Sequence, residues 1–429
     1  MCRNVFSKRN ITWPLLLTLL VVFITSCAQA DADASRSNSQ HPVSTPTSQK
    51  VSSTPVWQYS PTAPVPPPTL PAYLKGKTAS LSWINGSDCQ EGIAAYLSTA
   101  DKDANAALIG TGWVHPLTGS LLSGANNCMP GSSSMDNVVQ LVHSKGGMVY
   151  LTITMFTEGP GAWSFQQGAA YVAEATRNQS YIDAIVQEVV RANYDGVIMD
   201  LEGVDHDYPD IQQLFATFNQ QVWAALRPLH KWYGIALVHK ISDRDISYDY
   251  NGFANWSLLA HAADFIVIMA LDQSRYSPGP LVSLPWLKQI LAYTMRTMPT
   301  MLRHIIWELP LYGASWHREN GGWVFDGILT YQAAHTLAQQ ATPSQIDAAA
   351  SAPQDFFNPH VVYTDASGVK HAVWYVTARG LYVTIVTFWE MLRQEPEFGN
   401  SGIQIALWWR TTQELPGFWP LLDGLWERK

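Results

Sequence analysis

Short apolar runs and longer amphipathic stretches take turns along the chain from about residue 76. Ala79–Ile84, Ala107–Trp113 and Gly147–Met155 are apolar runs of strand length, the last rich in β-branched residues. Ile182, Ile185, Val186, Val189 and Val190 then recur at helical spacing, which predicts a helix over Ser180–Ala192 with Ser180 as its cap and Asp183 three residues on. Further strand-like runs follow at Gly196–Glu202, Tyr233–Val238, Phe265–Leu271, Ile305–Leu311 and Ile403–Trp409, with helical stretches such as Ile211–Leu226 and Tyr382–Arg393 between them. Eight strands alternating with helices predict an α/β fold, a (β/α)8 TIM barrel. The stretch between the seventh and eighth runs is too long for one helix. It holds Val361–Thr364 and Ala372–Val376 around Asp365-Ala-Ser-Gly368, a hairpin signal, and predicts a small α+β insertion over about residues 317–378.

The first 75 residues follow neither pattern. Arg3, Lys8 and Arg9 precede an apolar run from Ile11 to Ile24, and small residues then lead to Cys27. This predicts an export signal over residues 1–26, too short to be a comfortable membrane span. Ile24-Thr25-Ser26-Cys27 resembles a bacterial lipoprotein box, which implies lipidation of Cys27 and an extracytoplasmic protein anchored to the cell membrane. Residues 27–75 are rich in Ser, Thr and Pro and predict a linker; residues 76–429 then hold the barrel. Cys89 and Cys128 remain in the folded part, where an exported protein can join them in one disulfide or bury them as two thiols.

Composition narrows the function. Hydrophobic residues make up 47% of the chain, which excludes a disordered one, and charged residues only 14%. Losing three positive charges with the signal takes the net charge from −8 to −11. An acidic chain without a basic cluster excludes a nucleic-acid partner. Of 18 tryptophans, 16 lie beyond residue 75, an excess that suits an aromatic core or the faces of sugars; Trp83, Trp113, Trp316 and Trp323 are candidates for stacking. The chain has no Gly-x-Ser-x-Gly elbow and no phosphate loop. Asp205-His206-Asp207 offers metal-ligand chemistry, but such a run after a strand reads first as a polar loop, and no metal is expected. His239 is either a base or a hydrogen-bonded barrel histidine.

The chemistry concentrates in Asp195-Gly-Val-Ile-Met-Asp-Leu-Glu202. Alternate side chains of a strand share a face, so Gly196, Ile198, Asp200 and Glu202 point one way and Val197, Met199 and Leu201 the other. Two carboxylates two residues apart either repel, which raises the pKa of one and suits it to act as a general acid at neutral pH, or simply bind solvent or a nearby lysine at a strand end. The C-terminal end of a barrel strand is also where barrel active sites sit.

That stretch resembles the DGxDxDxE signature of glycoside hydrolase family 18, the chitinase-like barrels, and is closest to the branch of spore-cortex and germination peptidoglycan glucosaminidases. Asp264 to Asp272 resembles the family's DFxxxMxYD strand, with Met269 in place. Leu309-Pro-Leu-Tyr312-Gly-Ala-Ser-Trp316 resembles its PLYGxxW segment, Tyr363 to Trp374 its YxDxxGxxHxVW insertion, and Gly402 to Trp409 its closing strand. The resemblance covers residues 79–425.

It implies a glycosidase acting on β-1,4-linked N-acetylglucosamine polymers, peptidoglycan first and chitin-type oligomers second. Glu202 is implied as the general acid and Asp200 as the group that orients the substrate's 2-acetamido group, which is itself the nucleophile in a retaining, substrate-assisted cleavage. Asp272, Tyr312 and Met269 are implied as substrate contacts, with Trp409 (or Trp408, one residue away) as the aromatic floor and Trp83 as a further contact. No metal or organic cofactor is implied, and a monomer is expected. Two positions depart from the pattern: the family's inward acid before Asp200 is Ile198, and its tyrosine before Asp272 is Leu271. An apolar neighbour raises the pKa of Asp200, and loss of the tyrosine removes a hydrogen-bond donor to the acetamido group. The expectations are therefore a hydrolase of weak or altered activity or a carbohydrate-binding lipoprotein derived from one.

Overall fold

The computed structural model describes residues 80–85, 89–99, 105–114, 121–122, 136–155, 163–244, 248–351, 358–399 and 401–426. They lie in one compact unit, Val65–Lys429. The signal, Cys27, the linker and Cys128 lie outside the described residues.

In chain order the strands are β1 (Ser80–Ile84), β2 (Asn105–Val114), β3 (Leu121–Leu122), β4 (Met148–Thr154), β5 (Gly196–Asp200), β6 (Trp232–Val238), β7 (Phe265–Met269), β8 (Ile305–Pro310), β9 (Tyr312–Glu319), β10 (Gly322–Thr330), β11 (His360–Thr364), β12 (Lys370–Tyr375) and β13 (Gln404–Trp408). The helices are α1 (Cys89–Leu97), α2 (Asp136–Ser144), α3 (Phe165–Ala175), α4 (Gln179–Arg191), α5 (Ile211–Leu226), α6 (Tyr248–Asn251), α7 (Trp256–Leu259), α8 (Leu284–Thr297), α9 (Tyr331–Gln340), α10 (Ala378–Leu392) and α11 (Phe418–Trp426). Among the described residues, β1, β2, β4, β5, β6, β7, β8 and β13 pair in parallel, and β1 pairs with both β2 and β13, so the sheet closes on itself. This is the (β/α)8 barrel that the alternating pattern predicts.

The side chains of the barrel strands divide by alternation into two cores. Leu81, Tyr150, Ile198, Ala236, Val267 and Ala406 fill the interior. Val197, Met199, Ile235, Ile266, Ile268 and Leu407 face outward and pack with the helices. At Gly234 a Cβ would stand 2.2 Å from the ring of Phe265, so the missing side chain gives that interior ring its place. At the N-terminal end of the barrel, aspartates fasten neighbouring strands. Asp195 accepts hydrogen bonds from the Val149 amide and His143, and Asp264 from the Tyr233 amide and the Trp223 indole.

Several boundaries differ from the sequence reading. Asn178, not Ser180, caps α4: its side chain accepts from the amide of Ser180, the second residue of the helix, because its extended backbone leaves that N–H within reach. α10 begins at Ala378, four residues before the predicted start at Tyr382. Thr377 caps it there by accepting from the Gly380 amide, and Gly380 had obscured the helical pattern. β5 ends at Asp200 and β7 at Met269, so Glu202, Leu271 and Asp272 sit just beyond the strand ends. The insertion begins at Tyr312, not at about 317, with only Leu311 between β8 and β9. Pro310, which has no N–H to give a ladder, closes β8 and releases the chain. The insertion is a four-stranded antiparallel sheet in the order β10-β9-β12-β11 with α9 against it. The β9–β10 hairpin, turning at Asn320-Gly321 with positive φ at both, was not foreseen. The β11–β12 hairpin matches the Asp365–Gly368 turn signal.

Candidate active site

Ile198 lies in the barrel interior and Val197, Met199 and Leu201 in the outer core, so Asp200 and Glu202 continue the inward face of β5 to the C-terminal rim. Asp200 is only 8% exposed, and its Oδ1 has no hydrogen-bond partner. Burial, and after it the charge of Glu202, pushes its carboxyl well above the ordinary range. Glu202 is half-buried. Two acids so arranged favour holding a proton between them.

The turn after β7 supplies the next group. Met269 ends the strand facing the interior. Asp272 has φ 59°, a left-handed conformation that aspartate tolerates better than most residues. The Tyr312 hydroxyl, from the first residue of the insertion, donates to Asp272 Oδ1, and Arg275 lies 3.5 Å from Oδ2. Burial raises the Asp272 pKa against the opposing pull of Tyr312 and Arg275. The buried Tyr312 hydroxyl is itself held well above its usual value, by burial and then by the Asp272 charge.

Aromatic rings run from β1 to the insertion. Trp83 meets Trp408 edge-on with ring centres 6.1 Å apart, Trp408 is tilted against Trp409 at 6.1 Å, and Trp409 against Tyr312 at 6.2 Å. Trp408 and Trp409 are half-buried and joined by a cis peptide, whereas Trp83 is 1% exposed. The structure therefore brings Asp200, Glu202, Asp272, Tyr312, Met269, Trp408 and Trp409 to the C-terminal end of one barrel, with Trp83 enclosed beneath them.

The other candidates go elsewhere. His239 Nδ1 donates to the Met269 carbonyl and its ring meets Trp286 edge-on, the placement of a hydrogen-bonded barrel histidine. In the loop after Glu202, Asp205 accepts from the Asp207 amide, and His206 lies 3.6 Å from Asp207; among the described residues no group of three or more His, Cys, Asp or Glu is set to hold a metal ion. Trp316 is fully buried and donates to the Arg275 carbonyl, and Trp323 lies under Arg318 on the hairpin. The side chain of Trp113 lies outside the described residues. Cys89 opens α1, buried and disulfide-bonded.

One interior acid escaped the sequence reading. Glu308 on β8 is 2% exposed, its Oε2 has no partner, and its carboxyl is pushed well above the ordinary range by burial and then by the charges of Asp200, Glu202 and Asp272. Its signal was present as a single acid in the otherwise apolar run Ile305–Leu309.

No protein-family model matches the chain. The cortical fragment-lytic enzyme of Bacillus anthracis is 23% identical over 266 residues, 61% of this chain and 56% of that protein, so the match spans just over half of the relative's length. Among solved structures, a chitinase from Chromobacterium violaceum superposes with a TM-score of 0.65 at 18% identity, covering 82% of this chain and 100% of the other. The Bacillus cereus spore cortex-lytic enzyme SleL gives a TM-score of 0.64 at 21% identity, over 82% and 75% of the two chains. The chain shares the fold of these chitinase-like α/β barrels.

Proposed function

We propose that the protein is a glycosidase of the family 18 type that cleaves β-1,4-linked N-acetylglucosamine-containing glycan. The observation that carries this reading is the Asp200–Glu202 pair on the inward face at the C-terminal rim, where one buried carboxyl is biased to hold a proton beside the other. In the reaction, the proton shared by the pair passes to Glu202, which gives it to the glycosidic oxygen as the bond from that oxygen to C1 breaks, and Asp200 is left as a carboxylate. The carbonyl oxygen of the substrate's own 2-acetamido group bonds to C1 from the opposite face. Asp200 accepts the acetamido N–H, which directs the oxygen and stabilises the positive charge that develops on the ring it forms. Glu202, now a carboxylate, takes a proton from water as that water attacks C1 and the bond from C1 to the acetamido oxygen breaks, so the acetamido group is restored and the sugar keeps its configuration. Trp409 underlies the ring being cleaved, and the Tyr312–Asp272 pair contacts the same sugar.

Peptidoglycan is the preferred substrate in this reading, supported by the likeness to the cortical fragment-lytic enzyme of Bacillus anthracis and the spore cortex-lytic enzyme of Bacillus cereus; the chitinase likeness supports chitin-type oligomers second. The leader and Cys27 support an exported chain anchored to the membrane, within reach of cell-wall glycan in this reading.

The test incubates the purified chain and its Glu202→Gln form with N-acetylglucosamine oligomers and peptidoglycan, with products read by mass spectrometry. Cleavage by the first and none by the second is expected. A second reading, a carbohydrate-binding barrel without useful turnover, is favoured by Ile198 and Leu271, which put apolar side chains where the family pattern has an acid and a donor. Binding by both forms with cleavage by neither would select it.

A further inference from the structure

Glu308 is a buried acid that the mechanism above does not use. Alternation decides where it points. Ile306, two residues earlier, packs against the barrel interior, whereas Trp307 and Leu309 belong to the outer core. Its ladder neighbours, Met269 on β7 and Ala406 on β13, are both interior residues. The carboxyl is therefore inside the barrel, with Oε2 unpartnered. Asp200 reaches the same interior from β5, three strands round the sheet, and its Oδ1 is unpartnered too. Below Asp200 stands Ile198, which offers no hydrogen bond, and on the adjacent strand the buried hydroxyl of Thr152, in register with Ile198, also lacks a partner. A buried carboxyl with nothing to bond is costly, and it is less so when neutral, when it becomes an O–H donor seeking an acceptor.

The titratable groups that influence Glu308 are Asp200 and Glu202 from the β5 rim and Asp272 from the turn after β7. Tyr312 and Arg275 are engaged with Asp272, while β13 presents Ala406. Asp200, Glu202 and Asp272 all act in one direction, which biases Glu308 further toward its neutral form.

We propose that Glu308 is a positioning residue that shares a proton with Asp200, donating to it when the Asp200 carboxylate turns inward. It supplies from β8 the partner that Ile198 cannot supply from β5. The effect on rate rests on the glycosidase reading; the shared proton does not.

Difference infrared spectroscopy of the full chain at neutral pH tests the proton directly. The native spectrum minus that of Glu308→Leu is expected to show the C=O stretch of a protonated carboxylic acid, and Asp200→Asn is expected to shift that band. Absence of the band, or a band indifferent to Asp200→Asn, overturns the proposal. Kinetics on N-acetylglucosamine oligomers give the second test. Glu308→Leu is expected to lower kcat by about tenfold with KM within about twofold of native, while Glu308→Gln, which still donates, keeps most of the rate. Losing a donor to the Asp200 carboxylate raises the Asp200 pKa, so the acidic limb of the kcat profile moves to higher pH. A limb that moves to lower pH would show Glu308 acting only as a nearby anion and would overturn the proposal, as would an unchanged profile. Adding Ile198→Asp to Glu308→Leu is expected to restore part of the rate. A native chain that cleaves no glycan but shows the Asp200-sensitive band would remove the glycosidase reading and support the shared proton.

Discussion

The Tyr312 hydroxyl donates to Asp272 Oδ1 and so ties the first residue of the insertion to the turn that follows β7. Neither residue belongs to a barrel strand, and the bond between them sets one side of the site. Tyr312→Phe keeps the packing against Trp409 and removes only the donor. A hydrogen bond to a charged group contributes about 1.5–3 kcal/mol. The expected result is a fall in kcat/KM on N-acetylglucosamine oligomers of about tenfold to a hundredfold, with a lower melting temperature. Activity and stability both equal to native would show that the bond does not support the site.

Leu271 packs against both cores beside the acids, at the position where the family pattern has tyrosine. In the proposed reaction, Leu271→Tyr supplies a donor to the acetamido group. Its expected effect is a rise in kcat of about tenfold or more, since one such donor is worth about 2.7–4 kcal/mol in established sites. Steady-state kinetics check this, and a lower kcat with intact folding would count against substrate-assisted cleavage here.

The two adjacent tryptophans are expected to separate by readout. Trp409 lies beside Tyr312, whereas Trp408 covers the edge of Trp83 and closes the interior. Trp409→Ala should weaken oligosaccharide binding by calorimetry with little change in melting temperature. Trp408→Ala should lower the melting temperature, with a stability loss of about 2 kcal/mol or more for a half-buried indole. The reverse assignment would make Trp408 the floor.

Burial raises the folded-state pKa of Glu308 above its unfolded value of 4.5. The folded chain then holds a proton that the unfolded chain releases, so this group favours folding below the unfolded pKa, and that advantage is lost as pH rises toward the folded pKa. Glu308→Leu removes the titration. The melting temperature of the variant, relative to native, is therefore expected to climb as pH rises from about 4 toward neutrality. A difference that stays flat across that range would mean that Glu308 titrates as an ordinary exposed acid.

Much of this molecule was legible before its structure. The eight apolar runs correspond to the eight barrel strands because a buried strand must bury its side chains, and that need is written locally. Ile211–Leu226 is recovered to the residue because its apolar stripe covers the whole helix. Ends were read less well where a single hydrogen bond decides them, as with Asn178 and Thr377, because backbone angles choose among several residues of capping type. The β9–β10 hairpin was missed because its burial pattern is uneven, with β10 half-exposed along its length.

The sequence by itself determined the barrel, the inward face of Ile198, Asp200 and Glu202, and the turn at Asp365–Gly368, since each depends on residues within one element's reach. Tertiary structure alone decided that Tyr312 meets Asp272, that Trp83 lies enclosed under Trp408, and that Glu308 enters the same interior as Asp200. Those relationships join elements far apart in the chain, and the pairing of β1 with both β2 and β13 is what closes the sheet around the interior acids and sets Trp83 beneath Trp408. Closure turns one face of every strand toward a common centre, where Glu308 feels the charges of Asp200, Glu202 and Asp272.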